Sequence, residues 1–219
     1  IPVDQIENLS REVYMNKVNS ISSKTHDKLI IKEYPTSQAH SGHFRALFRE
    51  LKMKKKFEPD MVFIDYINIC CSSRVKMGGS VNSYTYIKNI AEELRGLTME
   101  FNLPIVTATQ INREGSRSSD PDIEDTSESW GLPATCDLMF ALVSSDELEE
   151  NSQIMVKQLK NRYNDLNKHK RFVLGIERPK MKFFDVPKSE QTLINPNQKN
   201  ESSIEVAMPN IDKLSELIV

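Results

Sequence analysis

The sequence predicts an α/β protein, a mostly parallel sheet flanked by helices with antiparallel strands added toward its C-terminal end, and three observations carry that prediction. Met61-Val62-Phe63-Ile64 is an apolar run of strand length that ends on Asp65. A helical period then runs from Asn82 to Phe101, and Ile105-Val106-Thr107-Ala108-Thr109 is a second apolar run that ends on Gln110. Strand, long helix and strand in that order make a βαβ unit, whose strands are parallel, so Asp65 and Gln110 are expected on one sheet edge. Third, strand-like runs at Ile154 to Lys160, Arg171 to Ile176 and Lys180 to Val186 follow one another closely, the spacing of antiparallel hairpins.

Taken in order, Pro2 to Thr25 reads as two short helices, with Pro2 at a permitted first-turn position and Ser10 as the cap of the second. Leu29-Ile30-Ile31, within Lys28 to Tyr34, predicts a short strand closed by Pro35. Ser41 is the expected cap of the next helix, whose Phe44, Leu47, Phe48 and Leu51 recur at the spacing of one buried face. Lys52, Lys54, Lys55 and Lys56 end that helix, where the macrodipole favours cations, a better account of them than phosphate binding. The run into Asp65 is expected to be a buried strand, and Ser72 to Ser80 a basic loop carrying Arg74, Lys76 and two glycines. In the long helix Ile87, Ile90, Leu94, Leu97 and Phe101 form one stripe, stopped by Asn102 before Pro104. Ile111 to Pro121 is a polar loop with Arg113 and Arg117, and a short helix near Asp122 to Trp130 is expected to break at Gly131 and Pro133. Cys136 to Val143 reads as another buried strand. Beyond Pro187 the composition turns to Gln, Asn, Ser and Lys, so residues 1–186 form the expected domain and 187–219 a flexible tail with an amphipathic turn at Ile211 to Val219.

Composition narrows the function classes. With 219 residues, 38% apolar and 27% charged, the chain has the make-up of a soluble domain, and no apolar run is long enough to cross a bilayer. The start shows no secretory signal and no initiating Met, as expected of a piece excised from a longer protein. Cys70, Cys71 and Cys136 fit core thiols in a reducing, cytoplasmic compartment rather than a disulfide framework or a zinc site. His40 and His43 share a helix spacing but lack further ligands for a metal. A net charge of -2 argues against indiscriminate coating of nucleic acid. The charge is nevertheless segregated: no Lys or Arg lies between Ser118 and Val156, a stretch rich in Asp and Glu, whereas Lys157 to Lys182 is strongly basic. Such an arrangement lets a head-to-tail contact between copies be electrostatically self-complementary.

A carboxylate on one strand end and a glutamine on the next make a candidate site for phosphoanhydride hydrolysis, with Asp65 holding magnesium through water and Gln110 sensing the γ-phosphate. A solvent-facing strand end is the plainer reading of Asp65 taken alone. The phosphate cradle G-x-x-x-x-G-K-S/T does not occur in the chain, and Gly78-Gly79-Ser80 has no following Lys.

Four segments then appear in a telling order: Phe63-Ile64-Asp65-Tyr66; Thr109-Gln110-Ile111-Asn112-Arg113; Asp122 to Asp137; and Lys157-Gln158-Leu159-Lys160-Asn161-Arg162. In order and spacing they resemble the later motifs of the hexameric replicative helicases of the DnaB family. Asn82-Ser83-Tyr84-Thr85, Ala91-Glu92-Glu93-Leu94-Arg95 and Gly131-Leu132-Pro133-Ala134-Thr135 look nearest to the branch found in T-even-type bacteriophages. The resemblance covers most of Ile1 to Val186 and implies a RecA-like P-loop NTPase core. It implies ATP and Mg2+ as cofactors, with Asp65 as the Walker B aspartate and Gln110 as the residue coupling nucleotide state to DNA loops. Arg162 with Lys160 becomes the basic finger that reaches the nucleotide of a neighbouring subunit, where the plainer reading is a pair of exposed strand residues. Single-stranded DNA, a homo-hexamer, a primase and a helicase loader are the implied partners, with no membrane. The Walker A strand and loop and the strand bearing a catalytic glutamate depart from the pattern by being missing, so the chain alone is expected to be inactive. Arg74 and Lys76, or Arg113 and Arg117, then line a DNA channel, or else belong to ordinary solvated loops. Two other readings are kept: a different RecA-like ring ATPase of recombinase or clock type, and a non-enzymatic binding domain on the same sheet.

Overall fold

The computed structural model describes residues 1–26, 28–76, 78, 81–111, 122–123, 131–187 and 191. Backbone contacts divide the chain into Ile1–Val186 and Pro187–Val219, and of the second unit only Pro187 and Gln191 are described. The expected turn at 211–219, the short helix at 124–130 and the loop at 112–121 lie outside the described residues.

At the N-terminal side a 310 turn, Val3–Asn8, begins after Pro2, and helix α1, Arg11–Thr25, begins after Ser10, whose hydroxyl accepts a hydrogen bond from the Val13 amide at 3.4 Å. Both helical segments stand where they are expected. The strand expected at Lys28 to Tyr34 does not form, and Ile31 is 85% exposed. A strand exists only through a partner's ladder, and high β propensity without a neighbour leaves an extended connection.

Helix α2, Ser41–Glu50, starts one residue away from the expected cap. His40 is the N-cap: its Nδ1 accepts from the Gly42 amide at 3.0 Å, while His43 Nδ1 accepts from the His40 amide at 3.3 Å. Ser41, the first residue of the helix, donates its hydroxyl to Glu93 instead. Phe44, Phe48 and Leu51 are buried as the spacing predicts, and the helix passes into a π turn, Leu51–Lys55, that carries the lysines into solvent.

Strand β1, Val62–Ile64, pairs in parallel with β2, Ile105–Thr107, with Val62 opposite Ile105 and Ile64 opposite Thr107. Between them runs helix α3, Ser83–Phe101, capped by Asn82 and closed by Asn102 in the left-handed conformation at φ 51. Its Ile87, Ile90, Leu94 and Leu97 are buried against Phe44, Phe48, Ile67 and Leu103, and Phe101 meets Phe48 edge-on at 5.2 Å. The βαβ unit is as expected, but β1 is not a buried strand. Val62, Ile64 and Ile105 pack on that core, whereas Phe63, on the opposite side of the pleat, is 73% exposed.

Helix α4, Gly131–Thr135, forms across the residues expected to break it, because Gly131 and Pro133 occupy a first turn whose amides need no intrahelical acceptor. Four strands follow, β3 Leu138–Val143, β4 Gln153–Asn161, β5 Arg171–Glu177 and β6 Lys182–Asp185, antiparallel in sequential order. They form a sheet of their own rather than extending the β1–β2 ladder. Strand β3 is buried on one face only, with Ala141 and Val143 inward and Leu138, Phe140 and Leu142 exposed. A register shift between Met139 and Phe140 leaves buried Leu159 of β4 without a cross-strand partner, a bulge just before Lys160. Helix α5, Asp146–Glu150, fills the β3–β4 connection and is capped by Ser145. Among the described residues no helix is long and apolar enough to cross a membrane.

This packing assigns different weights to neighbouring positions of α3. Leu97→Ala, at a position with no exposed surface, is expected to cost about 2–5 kcal/mol, whereas Met99→Ala, 78% exposed, should stay within about 0.5 kcal/mol, both read from urea unfolding midpoints.

Candidate nucleotide edge and its basic finger

Parallel pairing carries both strand-end residues to one edge. Asp65 follows β1 directly and is exposed, through a cis peptide to Tyr66. Gln110 lies three residues beyond β2, and its Nε2 donates to the Tyr66 hydroxyl at 3.3 Å. The two ends are laced together: Thr107 Oγ1 donates to the Ile64 carbonyl at 2.8 Å, the Ile67 amide to the Ala108 carbonyl at 3.2 Å, and Thr109 Oγ1 to Asn68 Oδ1 at 2.9 Å. Neither Tyr66 nor Asn68 announces this role in the sequence. The edge suits a hydrated cation: one exposed carboxylate, whose oxygens no hydrogen bond or ion pair occupies among the described residues. No three His, Cys, Asp or Glu side chains gather among the described residues, so a magnesium ion held there would draw its remaining ligands from water and from nucleotide oxygens.

Arg74 and Lys76 are exposed beyond a root that the structure holds firmly. Glu93 of α3, only 4% exposed, is the anchor. It accepts hydrogen bonds from the hydroxyls of Ser41 at 2.6 Å, Ser72 at 2.5 Å and Ser73 at 2.6 Å, and from the Ser73 amide at 3.0 Å. Ser72 Oγ in turn accepts from the amides of Arg74 and Val75, each at 3.1 Å. Burial pushes the Glu93 carboxyl upward, but the hydrogen bonds from Ser41, Ser72 and Ser73 outweigh it and hold the group at about 2. One signal pointed to this residue: position 93 falls within the buried stripe, three after Ile90 and four before Leu97. A charge there requires an internal partner. Arg113 and Arg117 lie outside the described residues.

Lys160 and Arg162 are two apart on and just beyond β4, so both emerge on one side of the strand. They converge on the end of α4. Lys160 Nζ donates to the carbonyls of Pro133 at 2.5 Å and Ala134 at 3.4 Å, and Arg162 Nη2 to Ala134 at 3.4 Å. Arg162 also pairs with Asp137 at 3.0 Å. The turn that follows is set by Asn161, whose Oδ1 accepts from the amides of Tyr163 and Asn164, both at 3.0 Å. None of these contacts involves Asp65 or Gln110.

The sequence profile of the DnaB-like helicase C-terminal domain matches residues 2–181. Over 204 residues the chain is 38% identical to a DnaB-like replicative helicase of Enterobacteria phage T4, covering 92% of this chain and 42% of that protein. A replicative DNA helicase DnaB of Helicobacter pylori strain ATCC 700392 / 26695 is 28% identical over 111 residues, 50% of this chain and 22% of the relative. Among solved structures, one described as an ATPase domain superposes with a TM-score of 0.69 at 16% identity, over 85% of this chain and 66% of that one. A DnaB-like replicative helicase solved for its interactions with primase gives 0.68 at 16% identity, over 85% and 46%. The fold is therefore RecA-like, as expected. The chain spans less than half the length of the curated relatives it matches.

The Glu93 anchor has a testable pH signature. Its folded value lies below the unfolded one, so its contribution is complete above the ordinary carboxylate range near 4.5 and is lost as pH falls through about 2. Glu93→Gln is expected to destabilise the protein by about 1.5–3 kcal/mol at neutral pH. In denaturant titrations at stepped pH, that difference should shrink as the solution is acidified; a pH-independent difference would contradict the ionised anchor.

Proposed function

We propose, for a chain that belongs to the family of DnaB-like helicase C-terminal domains, that it is the ATP-hydrolysing part of a replicative DNA helicase. In the complete protein six such subunits form a ring that unwinds duplex DNA by moving along single-stranded DNA, by family resemblance in the five-prime to three-prime direction. One observation carries the reading: Asp65 and Gln110 share the edge of the parallel pair, while the contacts of Lys160 and Arg162 go to the end of α4 and to Asp137 and not to that edge. An acid and a sensor on one edge with no cation bonded to either are suited to completion by a neighbouring copy.

Bound Mg2+ and ATP supply a γ-phosphoryl group made electrophilic by the charge on the cation. Asp65 would hold the hydrated cation, and Gln110, tethered to Tyr66, links the edge to the segment that begins at Ile111. Arg162, with Lys160, brings positive charge to the neighbouring subunit's nucleotide, so ring closure becomes a condition of hydrolysis. Arg74 and Lys76, or Arg113 and Arg117, supply the cations for phosphates of single-stranded DNA. Arg74 and Lys76 are aimed by the Glu93 anchor at their root. Primase and a helicase loader are the expected protein partners, and the host cytoplasm the place of action if the protein is phage-encoded.

In the full-length protein, Arg162→Ala should lower DNA-stimulated ATP hydrolysis by about a thousandfold while leaving nucleotide affinity nearly unchanged. Equilibrium binding of a fluorescent nucleotide separates the two quantities, and loss of binding would refute a role in trans. The 219-residue chain by itself, which contains no G-x-x-x-x-G-K-S/T loop, should show no turnover in a phosphate-release assay. Turnover abolished by Asp65→Ala would overturn that expectation.

A further inference from the structure

Asp137 stands between α4 and β3, forty-two residues after Arg95 and twenty-five before Arg162 in the chain, yet it touches both. Its Oδ1 pairs with Arg162 Nη1 at 3.0 Å and with Arg95 Nη1 at 3.1 Å, and its carbonyl accepts from the Arg162 amide at 3.0 Å. Arg95, on α3, also donates to the Thr135 carbonyl at 2.6 Å. One carboxylate oxygen thus lies between two guanidinium groups, one rooted in the core helix and one at the tip of β4.

We infer that Asp137, steadied by Arg95, is the positioning residue of the Arg162 finger. The inference rests on the proposed role of Arg162. Stability alone does not account for the arrangement, because side chains 35–42% exposed gain only about 0.2–1 kcal/mol from each such pair. Direction accounts for it better. A guanidinium has five N–H donors, and among the described residues Asp137 and Ala134 occupy two of them, so the held side chain keeps donors for a phosphate. A long side chain already oriented loses less rotamer freedom when that phosphate arrives. Without the carboxylate, Arg95 and Arg162 would face each other as like charges and the finger would swing away.

The test uses the full-length helicase and reads kcat and KM for ATP in the presence of single-stranded DNA, together with nucleotide affinity, ring assembly and Tm. Asp137→Asn should lower kcat by about tenfold with KM and nucleotide affinity changed by less than about twofold, and should add no further loss in an Arg162→Ala background. A parental kcat in Asp137→Asn, or losses that multiply in the double variant, would overturn the inference. Arg95→Gln leaves the Asp137–Arg162 pair in place and decides the matter if Asp137→Asn fails to assemble. It should lower kcat by about threefold, an effect again absent without Arg162, and a parental kcat would count against the positioning role. If Arg162→Ala itself turned over at the parental rate, the finger reading would fail; if Arg162→Ala is impaired and the Asp137 and Arg95 variants are not, only the positioning role fails.

Discussion

Parallel pairing of β1 with β2 is the constraint from which the rest of the molecule follows. Two parallel neighbours cannot be joined by a tight turn, so the chain must cross over the sheet, and the crossover here is α3. The crossing helix has to bury one face on the strands and another on α2, which places Leu97 and Ile90 at the centre of the core. It also brings the starts of both post-strand segments to the same edge. Asp65 and Gln110 meet there through backbone geometry and the short bonds of Thr107, Thr109 and Tyr66, with no direct bond between the two of them.

Helix α3 then does more than cover the sheet. Two residues apart on it, Glu93 turns inward to hold the root of the Arg74–Lys76 loop, and Arg95 meets Asp137 beside Arg162. The contrast between the two hubs is instructive. Glu93 is buried, accepts its hydrogen bonds from neutral hydroxyls and an amide, and has its carboxyl held at about 2. Asp137 is half-solvated and paired with cations, so its value lies in direction more than in stabilisation. In each case a carboxylate joins a basic segment to α3.

The charge segregation read along the chain is partly spent within one subunit. Asp137 pairs with Arg162 and Arg95, and Glu149 with Arg178, so some acidic residues of the 118–156 stretch are matched in cis. Exposed apolar surface on β1 and β3 has a different origin. Phe63, Phe140 and Leu142 lie on the faces that the pleat turns away from the described core. Continuous apolar runs look alike whether one face or two are covered, which is why both strands read as fully buried.

Much of the architecture was legible because it is local. The α3 stripe, its Asn82 and Asn102 ends, the Ser10 cap and the three hairpin strands each depend on periods and caps within a dozen residues. Helix α5, with its Ser145 cap and acidic first turn, is equally local but was not among the expected helices. Other local signals were ambiguous: Leu29-Ile30-Ile31 has strand composition without a strand to join, and the cap is His40, whose Nδ1 accepts from the Gly42 amide, while Ser41 in the first helical turn donates to Glu93, fifty-two residues on. The sequence by itself determined the βαβ order, the shared edge of Asp65 and Gln110, and the presence of two cations two apart at Lys160 and Arg162. Only the tertiary structure decided that Glu93 accepts from Ser41, Ser72 and Ser73 and that one oxygen of Asp137 pairs with both Arg95 and Arg162. Those contacts arise from side chains 20 to 52 residues apart meeting in space, and no period or spacing along the chain encodes such a meeting.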